Sequence, residues 1–210
     1  MKKCAIIGAG DIKSYDSIKE SIITCDFIIS ADGGYDHLLK MGISPNLAIG
    51  DFDSIKSKPK ANEIITLPKE KDETDTFSAI NIALEKDFDE LYLFGMLGGR
   101  LDHTIANLQA LLYLSQMNKK AYIIDSDIKI IAITNGFAII PKLDNAYFSV
   151  FSFGEIAKGV TIENAKYTLS NAEIKNNFPI GVSNEFLDND ARVAVEDGSL
   201  LIIVCKDRTE

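Results

Sequence analysis

Two carboxylates stand two residues apart at Asp51 and Asp53, directly after an apolar run that ends in Gly50. Side chains on a strand alternate between its two faces, so both carboxylates can point toward one spot only if the backbone turns at Gly50. Mg²⁺ prefers oxygen ligands and is usually held by one or two carboxylates together with substrate phosphates. The pair therefore predicts a magnesium site just past a strand end, whereas an isolated Asp-x-Asp would be interpreted as an acidic surface turn.

A second acidic stretch precedes this pair. Asp32 is followed by Gly33 and Gly34, directly after an apolar run. Paired glycines allow a backbone to approach a ligand closely, and Asp32 would then face that ligand. Asp-Gly-Gly also forms plain turns, which is the better interpretation of this stretch taken alone.

A third stretch places four acids within residues 70–75, beside Lys71. Asp72 or Thr74 is a suitable helix N-cap, and acids in a first turn complement the helix dipole. Capping explains one or two of these acids but not four. Capping alone is therefore an incomplete interpretation of this stretch.

The fourth stretch, residues 95–103, lies between a predicted strand and a strong predicted helix. Gly98 and Gly99 ahead of a helix N-terminus predict an anion site built from free backbone N–H groups, and Arg100 adds a cation that binds phosphate in a bidentate manner. The spacing matches neither the P-loop nor the Rossmann fingerprint. Asp102 is also a suitable helix cap, and His103 is best interpreted as an ordinary first-turn residue. Residues 8–11 offer a second glycine-containing backbone cradle.

Together these stretches supply carboxylates for Mg²⁺, a glycine-rich anion cradle and an arginine. Phosphoryl transfer requires groups of these kinds, because its catalysis consists mostly of positioning the reactants and neutralising their charge. The residue chemistry by itself indicates an Mg²⁺-dependent protein with a nucleotide-like ligand and goes no further.

The elements that position these residues follow from apolar patterning. In the first half, short apolar runs alternate with helical periods, which predicts an α/β fold with a mainly parallel sheet and flanking helices. Ligands of such sheets bind at the carboxyl ends of the strands. The predicted strands are 4–10 (ending in a glycine turn), 27–31, 47–50, 63–67, 90–94 and 121–124, and the predicted helices are 17–24, 35–41 (stopped by Gly42), 76–85 and 105–117.

After Asp125 the helical period disappears and glycines separate short runs rich in β-branched and aromatic residues. This pattern predicts a small antiparallel sandwich or barrel. We place the boundary near residue 127, which divides the chain into domains 1–127 and 128–210. The predicted strands of the second domain are 129–134, 138–140, 147–153, 160–162, 192–195 and 200–205.

Composition narrows the class of protein. The net charge of −9 over 210 residues, with scattered Lys and Arg, argues against a nucleic-acid groove, which needs a basic stripe. No run of about 18 apolar residues predicts a transmembrane helix, and the N-terminal apolar run is too short for a signal peptide. Three cysteines without Cys-x-x-Cys spacing indicate buried thiols in a reducing compartment, which favours the cytoplasm. Only two histidines are present, which makes a histidine-rich metal site improbable.

The order of the four motifs closely resembles the thiamine pyrophosphokinase family. The match continues in the second half at Lys166-Tyr167 and at residues 181–186, so that it covers nearly the whole chain. The resemblance implies transfer of pyrophosphate from ATP to the hydroxyl of thiamine, an α/β nucleotide-binding catalytic domain, a C-terminal thiamine-binding β-sandwich and a homodimer with sites at its interface. The motifs are Ala31-Asp32-Gly33-Gly34, Gly50-Asp51-Phe52-Asp53-Ser54-Ile55, Lys71-Asp72-x-Thr74-Asp75 and Gly98-Gly99-Arg100-Leu101-Asp102-His103.

The resemblance also implies roles for individual residues. Asp51, Asp53 and Asp75 would hold Mg²⁺, with Asp32, Asp72 and Thr74 lining the same site and Gly33, Gly34, Gly98 and Gly99 approaching the ligand. Arg100 and Asp102 would contact or orient the nucleotide, and Ser183 and Asn184 would lie at the thiamine end. Tyr167 would stack on the pyrimidine of thiamine, or else would be a buried aromatic residue of a strand.

Two other functions are compatible with the same residues. The nearer alternative is a related pyrophosphokinase that acts on another alcohol, such as a hydroxymethylpterin. The other alternative is a sensor that binds a nucleotide or thiamine without catalysis, against which the retained acidic motifs argue.

Overall fold

The structure is a computed structural model that describes residues 1–53, 55, 58–70 and 72–207. Ser54 and Lys71, which belong to two of the motifs above, lie outside the described residues. The chain divides into two compact units. The first contains Met1–Ala110 and Lys119–Ser126, and the second contains Leu111–Asn118 and the residues from Asp127 onward.

Among the described residues of the first unit, six parallel strands form a sheet, which confirms the predicted α/β class. Their bounds are Lys3–Ile7 (β1), Phe27–Ala31 (β2), Leu47–Gly50 (β3), Glu63–Thr66 (β4), Glu90–Phe94 (β5) and Lys120–Ile124 (β6). Their order in the sheet is β6-β5-β1-β2-β3-β4. The chain therefore winds outward from β1 in one direction as far as β4, and then returns to the other side of β1 as β5. This reversal places a topological switch point between β1 and β5, where ligands of open parallel sheets bind.

In the part of the chain that the structure describes, four helices connect these strands: Tyr15–Ile23 (α1), Gly34–Met41 (α2), Asp75–Glu85 (α3) and Leu101–Gln116 (α4). The predicted stop of α2 is confirmed, because Gly42 caps the helix with a left-handed φ of 69°. Helix α4 begins four residues before the predicted start at Ile105. Its first turn contains polar residues and an exposed leucine, so the apolar period starts only in the second turn. In the described part of the chain, no helix is both long and apolar enough to span a membrane.

Burial explains why the strands hold their positions. Cys4 to Ile7 of β1 are all 0% exposed, although alternate side chains point to opposite faces. Both faces of the central strand are therefore covered, as expected for a parallel sheet. Ile18 and Ile22 of α1 join Leu38 of α2 in one apolar cluster with β1, and α3 packs over β1, β2 and β3.

The second unit consists mainly of antiparallel strands, as the sequence predicts. Two of them, Leu169–Lys175 (β11) and Gly181–Glu185 (β12), are absent from the prediction. Both are edge strands of polar composition, and backbone pairing with β10 and with β9 holds them in place. The strands lie in the orders β12-β9-β14-β7 and β11-β10-β13-β8, and the remaining bounds are Ile128–Thr134 (β7), Phe137–Ile140 (β8), Ala146–Ser152 (β9), Ile156–Glu163 (β10), Ala191–Ala194 (β13) and Ser199–Lys206 (β14).

Candidate active site

A cavity of about 640 Å³ opens at the carboxyl ends of the strands in the first unit. It collects the loops after β1, β2, β3, β4 and β5 together with the first turn of α3 and the first two turns of α4. Seven residues predicted from the sequence line it, namely Asp32, Asp51, Thr74, Asp75, Gly98, Gly99 and Arg100. The loops that hold them are far apart in sequence, so the parallel sheet brings them together.

Asp32 and Asp51 owe their proximity to two tightly packed turns. Asp32 has a φ of 43°, which turns the chain sharply from β2 into α2, and its N–H donates to the carbonyl oxygen of Ile49 at 2.8 Å. A Cβ added to Gly50 would lie 3.0 Å from the Cα of Asp32. The sequence predicts a turn at Gly50. The structure shows in addition that residue 50 must be a small residue, so that the two acidic turns can approach each other.

Asp53 interacts with a lysine near the cavity. Its N–H donates to Asp51 Oδ1 at 3.1 Å, and its Oδ2 accepts from Lys69 Nζ at 2.5 Å. The hydrogen bond and the charge of Lys69 lower the pKa of the Asp53 carboxyl, and the same contact raises the pKa of Lys69. Lys69 itself lines the cavity, and the sequence analysis did not identify it.

The donor types suit Mg²⁺, because Asp32, Asp51 and Asp75 contribute hard carboxylate oxygens to one cavity. Among the described residues, however, no three acidic, histidine or cysteine side chains are already grouped closely enough to hold a metal ion. The set Asp51, Asp53 and Asp75 therefore stays a prediction, and Asp53 would have to exchange its lysine partner for the cation.

At the switch point, backbone hydrogen bonds join the glycine loop after β1 to the glycine loop after β5. The Gly8 N–H donates to the Phe94 carbonyl and the Gly10 N–H to the Gly95 carbonyl, each at 2.8 Å. The Gly99 N–H donates to Asp11 Oδ2 at 3.0 Å. The predicted cradle of free N–H groups is thus wrong at Gly99, because a carboxylate of the neighbouring loop already occupies that donor.

A histidine supports the first of these loops. His37 Nε2 lies 2.9 Å from the carbonyl oxygen of Gly10, and Nδ1 lies 2.8 Å from the hydroxyl of Tyr15. Because a carbonyl only accepts, Nε2 carries the proton, and Nδ1 accepts from Tyr15 when the ring is neutral. Burial lowers the pKa of His37, and the nearby Lys40 lowers it further. Nothing in the sequence around His37 predicts this role, because neither its spacing nor its neighbours indicate a contact with the loop after β1.

Arg100 and Asp102 form an ion pair at the rim of the cavity. Arg100 Nη2 donates to Asp102 Oδ2 at 2.6 Å, and Nε donates to Oδ1 at 3.2 Å. This bidentate hydrogen bonding lowers the pKa of Asp102 and raises that of Arg100. Arg100 lines the cavity and Asp102 does not, so the carboxylate orients the guanidinium. His103, interpreted from sequence as an ordinary first-turn residue, also lines the cavity.

Four other predicted residues are not among those that line the cavity: Gly33, Gly34, Asp53 and Asp72. Gly34 has a different use, because an added Cβ there would lie 1.9 Å from the Ile7 carbonyl oxygen. It lets α2 pack against β1. Thr74 serves two purposes, since it lines the cavity and its Oγ1 accepts from the Phe77 N–H as the N-cap of α3. Four further residues line the cavity without having been predicted from the sequence, namely Glu73, Thr76, Met96 and Asn107.

The remaining predicted residues belong to the second unit. Tyr167 lies outside the strands and is 59% exposed, so its interpretation as a buried strand aromatic is wrong. The side chain of Asn184 is buried and fixes Tyr167: its Oδ1 accepts from the Tyr167 and Glu185 N–H groups at 3.0 Å, and its Nδ2 donates to the Tyr167 carbonyl at 2.7 Å. Ser183 has a left-handed φ of 56° and an exposed side chain.

Comparison with known proteins identifies two consecutive family regions. Residues 18–123 match the catalytic domain of thiamin pyrophosphokinase, and residues 137–200 match its vitamin B1 binding domain. The thiamine pyrophosphokinase of Bacillus subtilis strain 168 is 34% identical over 182 residues, which is 83% of this chain and 85% of the relative.

Solved structures agree over nearly the full length. The crystal structure of the Bacillus subtilis thiamine pyrophosphokinase has a TM-score of 0.88 and 30% identity, with 98% of this chain and 100% of that chain covered. The enzyme from Geobacillus thermodenitrificans has a TM-score of 0.86 and 25% identity, with 99% of each chain covered. The Candida albicans protein has the same fold, with a TM-score of 0.83 at 17% identity and coverage of 98% and 89%.

Proposed function

The chain belongs to the thiamine pyrophosphokinase family, and we propose that it transfers the pyrophosphate group of ATP to the hydroxyl of thiamine, giving thiamine diphosphate and AMP. The observation that carries this proposal is the cavity at the switch point of the sheet, where Asp32, Asp51 and Asp75 lie beside two glycine loops and Arg100. A metal-bound triphosphate needs hard oxygen ligands for its cation and a guanidinium for its oxygens.

The transfer is an in-line displacement at the β-phosphorus of ATP. The hydroxyl oxygen of thiamine forms a bond to this phosphorus, while the bond from the phosphorus to the oxygen bridging the α- and β-phosphates breaks, and AMP leaves with that oxygen. A carboxylate accepts the hydroxyl proton. The two candidates for this proton acceptor are Asp72 and Asp75, of which Asp75 lines the cavity.

Mg²⁺ is the cofactor of this proposal, held by Asp51, Asp53 and Asp75, and when bound it offsets the negative charge of the phosphate oxygens. Asp32 lies in the same acidic cavity. Arg100, oriented by Asp102, pairs with phosphate oxygens at the rim. Both glycine loops bring backbone close to the nucleotide.

The thiamine end is proposed to lie in the second unit. Tyr167 presents an exposed aromatic ring, and Asn184 fixes its backbone through two hydrogen bonds. We propose that this ring stacks on the pyrimidine of thiamine and that Ser183 lies beside it. The second unit also exposes several large apolar side chains, which favours a homodimer with sites at its interface. These side chains are Phe137, Ile139, Phe178, Ile180, Val182 and Leu187.

The test of the activity is AMP formation from ATP and thiamine, with and without Mg²⁺. We expect AMP and thiamine diphosphate in equal amounts, and no turnover after chelation of the cation. A hydroxymethylpterin offered in place of thiamine should give no AMP. Asp51→Ala should lower kcat by about 10²-fold or more, whereas Asp16→Ala, which removes an equal charge from the exposed start of α1, should leave it unchanged.

Three results would count against the proposal: ligand binding without AMP, AMP formation with the pterin alone, or Mg²⁺-dependent turnover retained by Asp51→Ala. The first would indicate a sensor and the second another pyrophosphokinase. A cytoplasmic location stays a prediction from the sequence.

The proposed homodimer has its own experiment. Asp51→Ala and Tyr167→Ala protomers are unfolded together, refolded as a mixture and assayed. If one protomer supplies the acidic cavity and its partner supplies Tyr167, half of the dimers are mixed and each has one intact site, so about a quarter of wild-type activity returns. No recovery in a verified mixed dimer would place both residues in the same protomer's site.

A further inference from the structure

Lys69, which lines the cavity, and Asp53, which does not, follow neighbouring strands. Asp53 follows β3 and Lys69 follows β4, and these strands are parallel, with Gly50 opposite Thr66. Their loops therefore leave the sheet at the same edge. Lys69 Nζ lies 2.5 Å from Asp53 Oδ2, and Lys69 lines the cavity that contains Asp32 and Asp51.

The charge of the cavity explains why an ammonium lies there. Four acidic side chains line it: Asp32, Asp51, Glu73 and Asp75. Apart from His103, the described lining residues offer two basic side chains, Lys69 and Arg100, and Arg100 is already bound to Asp102. Among the described lining residues, Lys69 is therefore the side chain that offsets this negative charge and the repulsion among the carboxylates.

The exposure of the pair makes it easy to separate. The Lys69 side chain is 77% exposed and that of Asp53 is 49% exposed. An ion pair this exposed contributes little net stability, because water screens it. A lysine also has a flexible four-carbon stem, and its ammonium binds phosphate as a point charge. Lys69 can thus leave Asp53 at small cost and still hold an anion at the same rim.

We propose that Lys69 is a displaceable counter-ion that neutralises Asp53 before a divalent cation arrives and then pairs with the phosphates of the entering nucleotide. This inference rests on the proposed function, because it needs a metal–nucleotide ligand in this cavity. It gives Lys69 opposite effects on the two ligands: it competes with the free cation and attracts the nucleotide. A plain surface ion pair would affect neither.

The experiment measures the two effects separately on Lys69→Met. Binding of Mn²⁺ without nucleotide is followed by electron paramagnetic resonance of the free ion, and we expect the variant to bind about threefold to tenfold more tightly. With Mn²⁺ saturating, an ATP analogue with a methylene group between the α- and β-phosphates is titrated by calorimetry, and we expect it to bind about fivefold or more weakly.

Two control variants separate position from charge. Lys19→Met removes the same charge from the exposed face of α1 and should alter neither affinity more than about twofold. Lys69→Arg keeps the charge and should bind Mn²⁺ like the wild type. The circular dichroism spectrum of each variant is recorded before titration.

The result that overturns the inference is a folded Lys69→Met variant with unchanged Mn²⁺ affinity, or one in which both affinities move in the same direction. Failure of the proposed function is distinguishable, since it would appear as a wild-type protein that makes no AMP from ATP and thiamine. A wild type that makes AMP, with a Lys69→Met variant that titrates like it, refutes the role of Lys69 alone.

Discussion

Gly34→Ala tests how the first acidic loop is built. An alanine Cβ at this position would lie 1.9 Å from the Ile7 carbonyl oxygen and 3.1 Å from the Gly8 nitrogen. Since ordinary van der Waals contact begins at 3.4 Å, α2 would have to move about 1.5 Å from β1. Ile7 is fully buried in the central strand, and both colliding groups are backbone, so neither can rotate away.

The magnitude follows from two opposing terms. Overpacking of this kind costs about 3 kcal/mol, at the upper end of the usual range, because no side chain can relieve it. Replacing glycine by alanine in a helix returns at most about 1 kcal/mol, and less at the first residue of α2. The net loss of about 2–3 kcal/mol lowers the melting temperature by about 5–10 °C for a chain of this length.

The assay is thermal unfolding followed by circular dichroism, with kcat measured below the transition. Activity should also fall, because Asp32 directly precedes the displaced helix. Gly154→Ala is the control, since an added Cβ there meets no heavy atom within 4 Å, and it should melt within about 2 °C of the wild type. A Gly34→Ala protein that melts like the wild type but fails to bind nucleotide would refute the packing argument and restore the ligand-cradle interpretation of the paired glycines.

Two further predictions concern polar side chains, the half-buried His37 and the buried Asn184. The pKa of His37 is lowered in the folded protein. Below about pH 6.5 the unfolded chain therefore binds a proton more readily than the folded chain does, and the free energy of unfolding falls as the pH drops toward 5. Urea titrations should show a smaller fall for His37→Gln, which keeps a donor for Gly10, and an equal fall in both proteins would contradict this assignment. Asn184→Ala leaves unsatisfied the backbone N–H groups that donate to this side chain, and we expect it to lower the free energy of unfolding in urea by about 2–3 kcal/mol. Because Tyr167 loses its support, we also expect a raised KM for thiamine and an unchanged KM for ATP. Ser183→Ala, whose exposed hydroxyl is removed, should keep the stability of the wild type, and equal losses in both variants would show that the amide contacts are not the cause.

Local signals predicted the elements of the first unit well. The strands at 27–31, 47–50 and 90–94 match the structure at both ends, because short apolar runs are bounded there by glycine or polar residues. Signals were weaker where tertiary contacts decide the structure. The edge strand Gly181–Glu185 has a composition suited to loops, and pairing with Ala146–Ser152 makes it a strand. No pattern within five residues contains that information.

The candidate site shows the same division between local and long-range information. Acidic motifs at strand ends were visible because they stand together in sequence, and the sheet brings Asp32, Asp51 and Asp75 to one cavity. Lys69 and His37 were not identified, because each acts on a residue of another loop, Asp53 in one case and Gly10 in the other. The use of Gly34 was also invisible, since a glycine that meets a strand and a glycine that meets a ligand look alike in a sequence.

The residues proposed for catalysis differ from those that stabilise the fold, and the proposed variants can measure this difference. Asp51 lies on a loop above strands whose side chains are buried and apolar, so its removal should affect the cavity and leave the sheet intact. Gly34 and Asn184 lie where backbone packs against backbone or against a buried amide, so their substitution should lower stability first and activity as a consequence. Lys69 belongs to the first class although it forms an ion pair, because an exposed pair contributes little to stability. If Lys69→Met lowered the melting temperature as much as Gly34→Ala does, the ion pair would be structural, and a displaceable counter-ion would be the wrong description of it.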